Sequence, residues 1–170
     1  MAKELKFEDK WVYLSLAIGA LYYVAYYFKF PNSYSTVVSF VMLTLLIRNF
    51  KKIEGLKVII YSLIISIMTL AISMIGYQSI MASLVMLSLN LAVFLLMIFG
   101  LKGLRKWGFY LSIVMFIIGF VAIFSNIIGY DVQYFSWTAP NIVYNLNMIS
   151  SLAFSMTSTY FLIKFRKSFK

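Results

Sequence analysis

The sequence predicts an all-α, polytopic integral membrane bundle of six transmembrane helices, forming one domain over residues 1–170. Three observations predict it. The 170 residues are 63% hydrophobic and 19% aromatic with a mean hydropathy of +0.92, outside the range of soluble globular domains. No charged side chain occurs in 58–101, 107–130 or 132–163, so most of the chain can enter hydrocarbon without the roughly 2.5–3.5 kcal/mol that a central Lys, Arg or Asp costs. Finally, fourteen of the fifteen Lys and Arg residues fall in four clusters at alternate ends of the apolar segments.

The spans are expected near 11–28, 33–47, 58–77, 79–100, 108–130 and 141–163. The first follows MAKELKFEDK, which mixes Glu4, Glu8 and Asp9 with its Lys residues. Its apolar run is too long for a signal peptide and has no small-residue cleavage site, so it reads as an uncleaved helix. Tyr22, Tyr23, Tyr26 and Tyr27 near its end suit an interfacial aromatic belt. The second span is short, bounded by the turn signal Pro31-Asn32 and by Arg48. The third carries Ser62, Ser66, Thr69 and Ser73 on one helical face. The fourth places Asn90 in mid-span on a face with Ser83 and Ser79, and the fifth carries Asn126 toward its end. Residues 129–140, GYDVQYFSWTAP, have the aromatic composition of a segment at headgroup level. The sixth span begins with Asn141 and Asn145, followed by Asn147, Ser151, Ser155 and Ser158 on one face.

Orientation follows from the clusters Lys3/Lys6/Lys10, Arg48/Lys51/Lys52/Lys57, Lys102/Arg105/Lys106 and Lys164/Arg166/Lys167/Lys170. With six spans all four fall on one side, which the positive-inside rule makes cytoplasmic, leaving Lys29 and Asp131 opposite. Both termini are expected inside and the default location is the plasma membrane. Lys51, Lys52, Arg105, Lys106, Arg166 and Lys167 are the expected contacts to anionic lipid headgroups. The net charge of +10 sits at the ends of apolar spans rather than along a polar face, which argues against nucleic acid as a partner. The loops RNFKKIEGLK and LKGLRKW resemble each other, as the same rule would make any such loops do.

Chemistry is limited by what is missing. The chain has no Cys and no His, which removes disulfides, thiolate and imidazole metal sites and His-ligated haem. The five acids, Glu4, Glu8, Asp9, Glu54 and Asp131, lie outside the expected hydrocarbon, so intramembrane aspartyl, metal-dependent and CDP-alcohol chemistry lack their groups. The expectation is therefore a protein without catalysis and without a cofactor. Met68, Met74, Met81, Met86 and Met97 have no metal-ligand spacing and read as packing residues.

Two kinds of polar residue remain. The stripes Ser62, Ser66, Thr69, Ser73 and Asn147, Ser151, Ser155 read first as helix-packing surfaces, since small hydroxyl residues allow close approach. Gln78, Asn126, Asp131, Trp137, Asn141 and Asn145 form a candidate solute pocket near the outer face, because amides in hydrocarbon need partners or a cavity. Six spans in 170 residues, both termini inside and no large loop resemble, in architecture, the substrate-binding S components of energy-coupling-factor vitamin transporters. That resemblance implies a solute pocket near the outer surface and a first helix that docks on a partner through small residues. Ser15 and Gly19 supply one small-xxx-small spacing here, without a repeated AxxxA. The functional expectation is an accessory or assembly subunit packing against another membrane protein. The alternative is a subunit that binds or transports a small neutral solute.

Overall fold

The computed structural model describes residues 8–75, 80–129 and 139–170, and among these every regular element is helical. The helices are α1 (Asp9–Ala20), α2 (Tyr22–Tyr27), α3 (Pro31–Arg48), α4 (Gly55–Ile75), α5 (Ile80–Lys102), α6 (Lys106–Gly129) and α7 (Ala139–Lys164), followed by a single 3-10 turn at Arg166–Ser168.

Helices α3 to α7 form a ring in the order α3, α4, α5, α6, α7 and back to α3, with α1 packed outside on α4 and α2 lying against α3 and α4. The close approaches are made where side chains are small. Ser15 and Gly19 are the buried residues of α1, and a Cβ on Gly19 would collide with Met68 of α4. The small pair with the spacing of a docking surface is thus occupied within the chain. At the start of α1 the Lys10 ammonium, 2.7 Å from Glu8, holds that carboxyl below its usual range, with a smaller contribution from Lys57 of α4. Glu8 beside Lys57 and Gly19 beside Met68 make α1 and α4 parallel.

The α5–α6 hairpin is tighter still, because Gly100 and Gly108 bring their backbones into direct contact. Its turn places Leu104 in the left-handed region (φ 50°), while the Arg105 N–H donates to the Gly100 carbonyl at 2.9 Å and closes the end of α5. Lys29 ends α2 in the same way (φ 61°), with the Phe30 N–H on the Ala25 carbonyl at 2.8 Å.

Three loops meet at one end of the ring. Phe50 stacks on Tyr160, with ring centroids 5.4 Å apart, and Lys164 lies 4.5 Å over the Phe50 ring while donating to the Phe50 carbonyl at 3.2 Å. The carboxyl-terminal segment folds back so that the Lys170 N–H donates to Leu104 O and the Lys106 N–H donates to Lys170 O, both at 2.8 Å. Phe169 is buried there, 5.1 Å from the Phe109 ring. The basic residues of 48–57, 102–106 and 164–170 are therefore gathered at this end, with Lys10 near Lys57. The apolar core occupies the same half, built from Leu46, Leu56, Ile59, Ile60, Leu101, Phe161 and Leu162. In a hydrocarbon environment such packing is held by dispersion and shape, since lipid tails are as apolar as Leu.

The expectation of six long apolar spans is met in part. Among the described residues three segments are long and apolar enough to cross a membrane: Gly55–Ser73, Lys106–Ser125 and Ile142–Lys164. The first expected span is divided at Leu21 into helices of 12 and 6 residues. The Tyr34 hydroxyl donates to the Ile18 carbonyl beside the break, a side-chain insertion of the kind that interrupts a helical ladder. Helix α3 has 18 residues, but Asn32, Ser33, Ser35 and Thr36 dilute its first turns. The apolar stretch described within α5 is Ser88–Lys102, below spanning length. Helix α4 begins at Gly55, α6 at Lys106 and α7 at Ala139, each two or three residues earlier than the apolar windows suggest. Hydrogen bonding carries a helix past the last apolar residue, and a Lys at its end can reach water.

Two substitutions test this account of the turns and the close approach. Gly108→Val should force α5 from α6 and lower the thermal midpoint of the detergent-solubilised protein, overpacking costing about 1–3 kcal/mol. Lys29→Gly should raise it, since a non-glycine residue in the left-handed region costs about 1 kcal/mol. Circular dichroism melts read both, and unchanged midpoints would contradict the packing described.

Candidate functional site

Beyond the packed basic end a space opens between the ring helices. A cavity of about 270 Å3 lies between α3, α4, α5, α6 and α7, and every one of these helices contributes to its lining. Helix α3 supplies Tyr34, Ser35, Val38, Ser39 and Met42, and α4 supplies Ser62, Leu63, Ile65, Ser66 and Thr69. Phe94 of α5, Phe116 of α6 and Ser151, Phe154 and Ser155 of α7 complete the wall. A shallow open groove of about 310 Å3 shares Ser35, Ser66, Thr69 and Phe94 with this space and adds Tyr22, Leu70, Ser73 and Asn90. Together they make one tract along α4.

Helical periodicity explains why hydroxyls run along it in stripes. Residues three or four apart share a face. Ser62, Ser66, Thr69 and Ser73 therefore form one stripe of α4, matched by Ser35 and Ser39 on α3 and by Ser151 and Ser155 on α7. The α4 hydroxyls donate back into their own helix. Ser62 bonds the Ile59 carbonyl at 2.7 Å, Ser66 the Ser62 carbonyl at 2.9 Å, Thr69 the Ser66 carbonyl at 3.0 Å and Ser73 the Leu70 carbonyl at 2.8 Å. A hydroxyl has one proton and two lone pairs, so these oxygens keep acceptor capacity. The aromatic part of the wall is joined by Phe116 and Phe154, whose rings meet edge to face at 6.4 Å, and by Tyr34, 5.4 Å from Tyr22.

Below Phe116 and Phe154, toward the basic end, Ser112 and Ser158 are fully buried, and their hydroxyls have no partner among the described residues. Each lies four residues from its ring, on the same face of its helix. The floor of the cavity is thus aromatic, backed by a polar pair and then by the apolar core.

Of the residues expected to line an outer pocket, Gln78, Asp131 and Trp137 lie outside the described residues. Asn126 belongs to α6 and Asn141 to α7, but their side chains are outside the description as well. Asn145 is 1% exposed, and its Nδ2 has no partner among the described residues. It lies near the place where the Thr36 hydroxyl reaches the Val143 carbonyl at 3.4 Å, between α3 and α7. The expected packing residues Ser62, Ser66, Thr69, Ser151 and Ser155 line the main cavity and Ser73 the groove. Asn147, one turn from Ser151, has a buried Oδ1 with no partner among the described residues.

The sequence reading did not single out Ser35 and Ser39, although their four-residue spacing was visible, nor Phe94, Phe116 and Phe154, whose roles depend on which helices are neighbours. Lys51, Lys52, Arg105, Lys106, Arg166 and Lys167 are all exposed. Among the described residues, no Lys, Arg, Asp or Glu lines the cavity or the groove, and no cluster of His, Cys, Asp or Glu is placed to hold a metal. No protein-family model, curated protein or solved structure matches this chain.

The Asn145 Nδ2, without a partner among the described residues, gives a prediction. Replacing an unsatisfied buried donor with an apolar group of similar size is neutral or favourable, whereas removing a bonded one costs about 0.5–1.5 kcal/mol. Asn145→Leu should leave the thermal midpoint unchanged or raise it. A drop of several degrees would mean that this amide bonds across the bundle.

Proposed function

We propose that this chain crosses the membrane six times with its basic end in the cytoplasm and binds a small solute in the cavity lined by α3 to α7. The observation that carries this reading is the cavity itself, walled by all five ring helices and lined by seven Ser and Thr hydroxyls. Small-molecule sites are typically concave, largely apolar and furnished with a few placed polar groups, as this space is. The hydroxyl faces of α4 and α7, which on an accessory-subunit reading would meet another protein, line this space instead. That placement is why solute binding, as a binding or transport subunit, is preferred.

Helix length supports six crossings. At 1.5 Å per residue, α1 and α2 together and α3 approach the roughly 30 Å of the hydrocarbon core, and the 23 residues of α5 exceed it. Convergence of the basic loops supports the orientation, because Lys and Arg near span ends favour the cytoplasmic face. The packed core at the basic end favours entry of the solute from outside.

Because the sequence contains no Cys, single cysteines report topology without background. In intact cells a membrane-impermeant maleimide should label Lys29→Cys, and should reach Lys52→Cys only after permeabilisation. The reverse pattern refutes the orientation. For the binding reading, the purified protein should release a small non-lipid molecule that Ser66→Phe, which fills the cavity, no longer retains. Mass spectrometry of the extracts decides: identical contents from a folded variant and the parent would sink the proposal.

A further inference from the structure

Resting on the solute-binding reading, we infer the class of ligand: an uncharged molecule of about two fused rings that carries at least one N–H or O–H donor. The absence of charge follows from the wall. Among the described residues neither the cavity nor the groove has an ionised side chain, and an unpaired ammonium or carboxylate in such surroundings carries a desolvation penalty of several kcal/mol. The need for a donor follows from the hydroxyl protons. On α4 those of Ser62, Ser66 and Thr69 are committed to carbonyls of the same helix, and that of Tyr34 is committed to the Ile18 carbonyl. The α4 and Tyr34 oxygens left facing the cavity are acceptors, so a ligand seated against α4 must donate to it, while the Ser35, Ser39, Ser151 and Ser155 hydroxyls on α3 and α7 can accept or donate.

Ring character follows from Phe94, Phe116 and Phe154, which surround the same space and favour offset or edge-on aromatic neighbours. Size follows from volume. An apolar cavity of about 150 Å3 holds benzene, so the main cavity at about 270 Å3 suits a bicyclic molecule. The adjoining space, reached past Ser66 and Thr69, can take a substituent.

Four probes separate these properties: indole, benzofuran of nearly the same shape with an acceptor in place of the N–H, anionic indole-3-acetate and cationic tryptamine. Binding is measured by equilibrium dialysis against the full chain in lipid nanodiscs, with empty nanodiscs subtracted. Indole should bind about fivefold to tenfold more tightly than benzofuran, the loss of one hydrogen bond. The charged probes should not bind at the same concentrations. Thr69→Val keeps the shape but removes an acceptor, and Ser66→Ala removes another. Either should narrow the gap between indole and benzofuran, which a general loosening of the bundle would not do.

If benzofuran matches indole, or if a charged probe binds as well, the ligand class is overturned even though the cavity is a binding site. If no probe binds, the inferred class is overturned too, and the space holds water or lipid. Ser66→Phe should abolish indole binding, with Ser39→Phe as the second blocking variant should the first not fold. Indole binding that survives both blocks places it elsewhere and removes the solute-binding reading itself.

Discussion

The aromatic and backbone junction at the basic end holds the rest of the molecule in register. Phe50, Tyr160, Phe161 and Lys164 join the α3–α4 loop to the end of α7, and the last residue bonds to both sides of the α5–α6 turn. Lys164 matters in this junction because one ammonium serves both the face of Phe50 and the Phe50 carbonyl, a cation and π pairing supported by a charge-assisted hydrogen bond. With its helices fixed together there, the bundle can keep a space between them farther along. The Gly100 and Gly108 contact brings α5 and α6 backbone to backbone just above the junction, whereas higher up Phe94 and Phe116 point into open space.

The cavity wall follows from the requirement that polar groups in hydrocarbon find partners. Serine and threonine can meet it locally by donating to a carbonyl one turn earlier, so a helix can carry several without any neighbouring helix. Helix α4 does this four times in succession. The hydroxyls are therefore not required to bridge helices, and the space between them can stay open. The same local solution makes the α4 wall rich in acceptors, a polarity that composition alone does not reveal.

Helical content was legible because uninterrupted apolar runs bounded by basic residues allow little else, and the helix ends fall within a few residues of those charges. The break at Leu21 was not legible, since it coincides with Tyr34 reaching the Ile18 carbonyl from another helix. Serine stripes on α4 and α7 were visible as periodicity, yet the same spacing serves a packed seam or a cavity wall equally well. Only the ring order of the helices distinguishes the two. Ser15 and Gly19 had the spacing of a docking surface for a partner, and α4 of the same chain takes that place. The asparagine-rich outer group was legible as chemistry alone, and of its six residues Asn145 is the one whose side chain is described.

The four back-donating hydroxyls have a mechanical consequence. A carbonyl that accepts from a side chain as well as from its usual amide holds each less tightly, and repeated sharing along one face softens a helix and favours bending. Helix α4 carries this sharing from Ser62 to Ser73, along the cavity and away from the packed end. Its compliance is therefore graded along its length, with an anchored root at Leu56, Ile59 and Ile60 and a more pliant upper part. The side chains that give the wall its polarity also set its stiffness, so a substitution among them alters both.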